Sequence, residues 1–202
     1  MPDHENPTNS PADDLAPAPR TPGVAIRSGL GSALAWIRDL GFSVLIAVVV
    51  IVFIYQPVKV EGTSMMPAFK NQERIFINKF TYRFGLGSIR RGDAVVFWYP
   101  MDPTKSYIKR VIGIPGDRIR IDSGQVYVNG RPLVEDYVTD RDNGSWPPTA
   151  HDEAVPAGRY FVLGDNRGSS SDSRAWGFVP RENIYGKAVF AYWPLEEMGR
   201  VR

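Results

Sequence analysis

From Leu40 to Tyr55 the chain reads LGFSVLIAVVVIVFIY, with neither a charge nor a proline. A helix rises ~1.5 Å per residue, so this run covers most of a hydrocarbon core of roughly 30 Å, and its flanks can complete the crossing. Trp36 and Tyr55 stand where interfacial aromatics belong, and Arg38 with Asp39 marks a water boundary. A buried core helix and a cleaved targeting peptide are the competing readings. No small-x-small cleavage site follows the run, only Gln56-Pro57-Val58-Lys59, so a retained anchor is the expectation. Arg20, Arg27 and Arg38 precede the run and Lys59, Lys70 and Arg74 follow it, so basic residues alone do not orient it.

The segments on either side differ in character. Met1 to about Pro22 is rich in Pro, Asp, Asn and Ala, and cannot bury enough apolar surface to offset the entropy of ordering. Asp3, Glu5, Asp13 and Asp14 argue against a transit peptide there. Beyond Gln56 short alternating segments take over. Arg74–Asn78, Asp93–Trp98, Tyr107–Gly113, Tyr160–Leu163 and Lys187–Trp193 read as strands. Asn129-Gly130, between alternating runs from Gln125 to Leu133, signals a hairpin. The expected organisation is a disordered tail and juxtamembrane segment over 1–37, one membrane-spanning helix over 38–56, and a mainly β domain over 57–202. The polar stretch from Glu135 to Ala157 is expected to be a surface excursion.

Chemistry is bounded by what the 202 residues omit. There is no cysteine, which removes thiol nucleophiles, disulfides and zinc–thiolate sites. The two histidines are His4, in the tail, and His151, in a polar loop, so a Ser-His-Asp arrangement is poorly supplied. No His and carboxylate cluster has metal-ligand spacing, so neither a metal nor another cofactor is expected. A net charge of +2 argues against a dedicated nucleic-acid partner.

Three clusters remain. Ser64 sits in Val60-Glu61-Gly62-Thr63-Ser64-Met65-Met66-Pro67, just after the apolar run. Lys109 lies in a strand pattern, sharing a face with Tyr107 and Val111. It is either an exposed lysine on a half-buried strand or a desolvated lysine kept neutral as a base. Gly164-Asp165-Asn166-Arg167-Gly168-Ser169-Ser170-Ser171-Asp172-Ser173-Arg174 is either a solvated loop or an ion-paired scaffold whose hydroxyl can orient a neighbouring amine. Arg91-Gly92-Asp93 matches an adhesive tripeptide but reads as a turn before an apolar strand. Asn143-Gly144-Ser145 matches a glycosylation acceptor but reads as turn chemistry.

Taken in order, Ser64-Met65-Met66-Pro67, Arg91 to Phe97, Tyr107 to Gly113, and Gly164 to Arg174 resemble the motifs of type I signal peptidases. These are membrane-bound serine proteases that remove signal peptides from exported proteins. The resemblance implies a signal-peptidase-like β catalytic domain, with Ser64 as nucleophile and Lys109 as general base. It further implies that Ser170 orients the amine and that Asp172 and Arg174 brace the loop. Phe97, Tyr107 and Val162 align with positions that wall the lysine in apolar surroundings. The Ser64 backbone N–H would be one oxyanion donor. Many relatives carry a serine where this chain has Gly62, so the second donor is left to another backbone group, water or the Thr63 hydroxyl.

The implied partners are signal peptides of exported preproteins ending in Ala-x-Ala, the lipid bilayer and the neighbourhood of the secretion translocon. The implied location is the inner (plasma) membrane, crossed once, with a cytoplasmic N-terminus and a periplasmic or extracytoplasmic catalytic domain. A maturation peptidase of narrow range and an inactive membrane-tethered peptide-binding domain are the alternatives. The SOS-repressor autoproteases share Ser-Lys chemistry but carry a DNA-binding domain, for which this tail is too short and irregular.

Overall fold

The computed structural model describes residues 29–53, 55–80, 87–138 and 151–201. Residues 1–28 of the expected tail and Asn143-Gly144-Ser145 lie outside them. The apolar run forms one helix, α1 (Gly29–Phe53), which starts well before Arg38. Tyr55, expected at the end of that helix, instead opens strand β1 (Tyr55–Lys59). Within α1, Gly31–Val50 is long and apolar enough to cross a membrane. Leu34, Trp36, Leu40, Leu45 and Val48 along it are each half exposed or more.

The remainder is antiparallel β structure. The strands after β1 are β2 (Arg74–Asn78), β3 (Ala94–Tyr99), β4 (Asp102–Gly113), β5 (Arg118–Asp122), β6 (Gln125–Val128) and β7 (Arg131–Pro132). They are followed by β8 (His151–Ala154), β9 (Arg159–Leu163), β10 (Val179–Pro180), β11 (Ile184–Trp193) and β12 (Gly199–Arg200). The larger sheet runs β1-β2-β11-β3-β4-β9-β10, with β12 on β11; the smaller runs β7-β6-β5-β8. Fold class is therefore mainly β with one N-terminal apolar helix.

Period-two alternation sorts the side chains into separate cores. Ala94 and Val96 join Ile75, Ile77, Met65 and Phe69 on one face of the larger sheet. Val95, Phe97 and Val111 join Val162, Val179 and Ile184 on the other. Ile112, Phe161 and Leu163 pack with Ile119, Ile121, Val126 and Val128 of the smaller sheet. Asn129 and Gly130 both have positive φ, the backbone a two-residue hairpin turn between β6 and β7 requires. Ser123 and Gly124 do the same between β5 and β6.

Two consequences of register place the functional groups. β3 pairs with β4 from Asp102 to Arg110, while β9 pairs with β4 only from Arg110 onward. Lys109 thus stands at the point where β4 passes from one neighbour to two, and burial rises along the strand accordingly. β9 ends with Leu163 opposite Arg110, so the chain leaves the sheet at Gly164, beside Lys109.

The stretch from Glu135 to Ala157 departs from the expected surface excursion at both described ends. Glu135 is 2% exposed, Val138 and Val155 are buried, and β8 pairs with β5. An acidic side chain can be buried when a guanidinium neutralises it, and Glu135 meets Arg167.

Candidate active site

Ser64 rides on the loop between β1 and β2, which is closed at its base by Val60 N–H to Glu73 O at 2.7 Å and Gln72 N–H to Val60 O at 2.8 Å. Met65 and Phe69, each 1% exposed, drop from this loop into the core under the serine. Met65 is thus core filler, while Met66 is 38% exposed. Gly62 has φ +95°, left-handed backbone that a serine would adopt only with strain. Its N–H is held by Asn71 Oδ1 at 3.0 Å.

Lys109 approaches from β4, opposite Val95, with Phe97 facing Tyr107 one step along the same face. The amine Nζ stands 2.5 Å from Ser64 Oγ and 5.7 Å from the centre of the Tyr107 ring. Lys109 is 4% exposed. Burial lowers its pKa from 10.5 to about 8; the charges of Asp172 and Asp165 oppose that shift and Arg174 adds to it. Of the two readings open for this lysine, the structure has the desolvated one. At pH 7 roughly one such amine in ten is neutral, far more than for an exposed lysine.

The third cluster folds into a short 3₁₀ turn, Arg167–Ser169, and a single helical turn, Ser173–Trp176. Asp172, wholly buried, accepts the Gly164 N–H at 3.0 Å and the Arg174 guanidinium at 2.7 and 2.8 Å. Arg174 reaches on to the Arg167 carbonyl at 2.8 Å. Asn166 binds the Ser64 loop directly, its N–H to Ser64 O at 3.0 Å and its Nδ2 to Thr63 O at 3.2 Å. The Ser170 hydroxyl is buried without a hydrogen-bond partner among the described residues, and so does not engage Lys109 here. It lies close to Gly164 and the Ser64 carbonyl: a Cβ on Gly164 would come 2.2 Å from Ser170 Oγ and 2.5 Å from Ser64 O.

Ser64 and Lys109 open onto a cleft of about 510 Å³, walled by Val58, Val60, Glu61, Ile108 and Tyr185. Along one wall, Ser106 to Lys109 of β4 pairs with β3 on one side only among the described residues. Arg91-Gly92-Asp93 is a turn, as expected. Asp93 is 8% exposed and accepts the Arg90 N–H at 2.9 Å, too enclosed for an adhesive contact.

Sequence reasoning missed two participants. Arg110, next to Lys109, is buried and forked onto Asp165 at 2.8 and 2.6 Å. Glu135 was assigned to the surface. Its only local sign is a position within Val134-Glu135-Asp136-Tyr137-Val138, where apolar residues flank the acids.

Comparison with known proteins identifies the family. The family described as signal peptidase, peptidase S26, matches residues 33–193. The chain belongs to that family. Its members are serine-protease hydrolases, and this chain is one of them. The signal peptidase I of Leptolyngbya laminosa is 35% identical over 198 residues, 92% of this chain and 94% of its own. A probable signal peptidase I-2 of Synechocystis is 39% identical over 163 residues, 78% of this chain and 72% of its own. Among solved structures, a signal peptidase I from Enterococcus faecalis is 33% identical and covers 50% of this chain and 97% of that one, with a TM-score of 0.43.

Proposed function

We propose that this peptidase removes signal peptides from exported preproteins, using Ser64 as nucleophile and Lys109 as base. The observation that carries the reading is the 2.5 Å approach of a buried amine to the Ser64 hydroxyl. Lys109 takes the Ser64 proton as Oγ bonds to the scissile carbonyl carbon. The tetrahedral intermediate collapses, the C–N bond breaks, and the proton passes from Lys109 to the departing amine. Water then attacks the acyl-enzyme ester and gives a proton to Lys109; the bond from the acyl carbon to Ser64 Oγ breaks, Lys109 returns that proton to Oγ, and the signal peptide leaves as a carboxylic acid.

The oxyanion draws one hydrogen bond from the Ser64 N–H. With Gly62 lacking a hydroxyl, the second donor is the exposed Thr63 hydroxyl, another backbone group or water. Ser170 orients the lysine amine in the substrate complex; an unpartnered buried hydroxyl at this position supports that role, because such a group is costly to leave unsatisfied. Asp172 and Arg174 hold the loop that carries it.

The free edge of Ser106 to Lys109 suits an extended substrate added as a strand between β4 and the Val58–Glu61 segment. Alternate side chains then enter shallow pockets, giving a preference of the Ala-x-Ala type. α1 anchors the chain in the inner membrane once, with the preceding tail cytoplasmic, the β domain extracytoplasmic, and substrates met near the translocon.

The test is processing of preproteins by the detergent-solubilised full chain. Ser64→Ala and Lys109→Met each abolish cleavage while the near-UV circular dichroism stays that of the parent. Undiminished cleavage by either variant overturns the assignment. Cutting of several unrelated preproteins separates a broad range from a single dedicated substrate.

A further inference from the structure

Behind the dyad lies a buried polar cluster that the hydrolytic steps do not use. The Glu135 carboxylate receives both ends of the Arg167 guanidinium, Nη1 at 3.0 Å and Nη2 at 2.5 Å, with both side chains 1% exposed. The third edge of the same guanidinium, Nε, donates to the Gly164 carbonyl at 2.9 Å. Gly164 opens the turn whose Asn166 N–H holds the Ser64 carbonyl, and its own N–H is held by Asp172. Two residues on from Glu135, the Tyr137 hydroxyl donates to Glu135 Oε1 at 3.0 Å. The Tyr137 ring covers the Arg110 guanidinium, 4.1 Å from its centre. Arg110 in turn neighbours Lys109 and forks onto Asp165.

We propose that Glu135 is a positioning residue for the Ser64–Lys109 pair, acting through Arg167 on the Gly164–Asn166 turn. This rests on the reading of that pair as the catalytic dyad. Burying an ion pair brings little net stability, since desolvating two charges consumes most of the attraction between them. What the pair does supply is geometry. A fork-on-fork contact fixes the guanidinium plane, and with it the direction from which Nε holds the Gly164 carbonyl. Without Glu135, Arg167 loses the fork that fixes its guanidinium plane, and its Nε hold on that carbonyl loosens. The turn then loosens where it touches both the Ser64 carbonyl and the Ser170 side chain, and water gains access to Lys109. Burial and the Glu135 charge push the Tyr137 pKa upward, so its hydroxyl keeps the proton it donates. Glu135 and Tyr137 thus tie the segment leading into residues 139–150 to both sides of the dyad.

The experiment uses the full chain in detergent, with wild type, Glu135→Gln, Glu135→Asp, Tyr137→Phe and Ser64→Ala. Steady-state cleavage of a preprotein-derived peptide is measured across pH, beside thermal melting. The titration of Lys109 is followed by NMR of ¹³C-labelled lysine. Glu135→Gln is expected to lower kcat roughly ten- to a hundredfold per folded molecule with KM little changed. It is also expected to move the rise of rate with pH, and the Lys109 titration, to higher pH. The charges facing that amine, Asp165, Asp172 and Arg174, are the same in every variant. Glu135→Asp restores part of the rate, and Tyr137→Phe loses a few-fold.

A structural anchor alone predicts a lower melting temperature with unchanged kcat per folded molecule and an unmoved Lys109 titration, and that result overturns the proposal. Should Glu135→Gln not fold, Glu135→Asp and Tyr137→Phe decide by the same two readouts. If wild type cuts no better than Ser64→Ala, the proposed function falls. The Lys109 titration still tests Glu135, because it needs no turnover.

Discussion

Burial acts on Lys109 in two ways, lowering the pKa of its amine and weakening the fold. The gap between 10.5 and about 8 corresponds to about 3 kcal/mol of disfavoured charge burial at neutral pH. Between these values the unfolded chain binds more protons than the folded one, so stability rises with pH across that window. Below about pH 8 both forms are protonated and the penalty is present in full. Lys109→Met removes it while filling similar volume. The variant is therefore expected to melt higher than wild type at pH 7, with the gap narrowing as pH approaches 10.5. Thermal melts at pH 7 and pH 10 check this; a gap that does not narrow means that Lys109 is not held neutral by burial. In the sequence this residue reads more readily as an exposed lysine, because alternation assigns a face without saying what covers it.

At the scale of elements, the site is two loops held against the end of a strand. The Ser64 loop is pinned by Met65 and Phe69 in the core, and the Gly164–Arg174 loop by Asp172 and Arg174. They meet where Gly164 passes the Ser64 carbonyl too closely for any side chain. Gly164→Ala must displace either Ser170 or the Ser64 backbone, and a shift approaching 1 Å in a catalytic group costs roughly a hundredfold in rate. Cleavage by this variant is expected to fall by about that factor in kcat, and activity within twofold of wild type argues that the contact is not maintained in solution. The compact apolar strands, such as Arg74–Asn78 and Tyr160–Leu163, were legible in the sequence almost to the residue. β1, β10 and β12 were not, since strands as short or polar as these are specified by the neighbour they pair with.

For the whole molecule, the apolar helix and the β domain present different physical problems. The exposed Leu, Val and Trp side chains of α1 suit a non-aqueous surrounding, which the proposed membrane anchor would give them. The full chain is expected to stay with membranes during alkaline extraction. Val44→Arg with Val48→Arg, each adding roughly 2.5–3.5 kcal/mol to insertion at the helix centre, is expected to release it. Retention of the double variant in the membrane pellet counts against α1 as the anchor. In the β domain, the order β11-β3-β4-β9 and the late start of β9 pairing create a strand edge beside Ser64. The apolar run, the alternation of the longer strands and the residue types of the four motifs were set by the sequence alone, because helix and strand periodicities and side-chain chemistry are local properties. Only the tertiary structure decided that Lys109 is buried, that the Ser170 hydroxyl is buried beside Gly164, and that Glu135 grips Arg167 behind the site. These depend on which distant segments exclude water from a charge, and in a chain of antiparallel strands that is settled by register across the sheet.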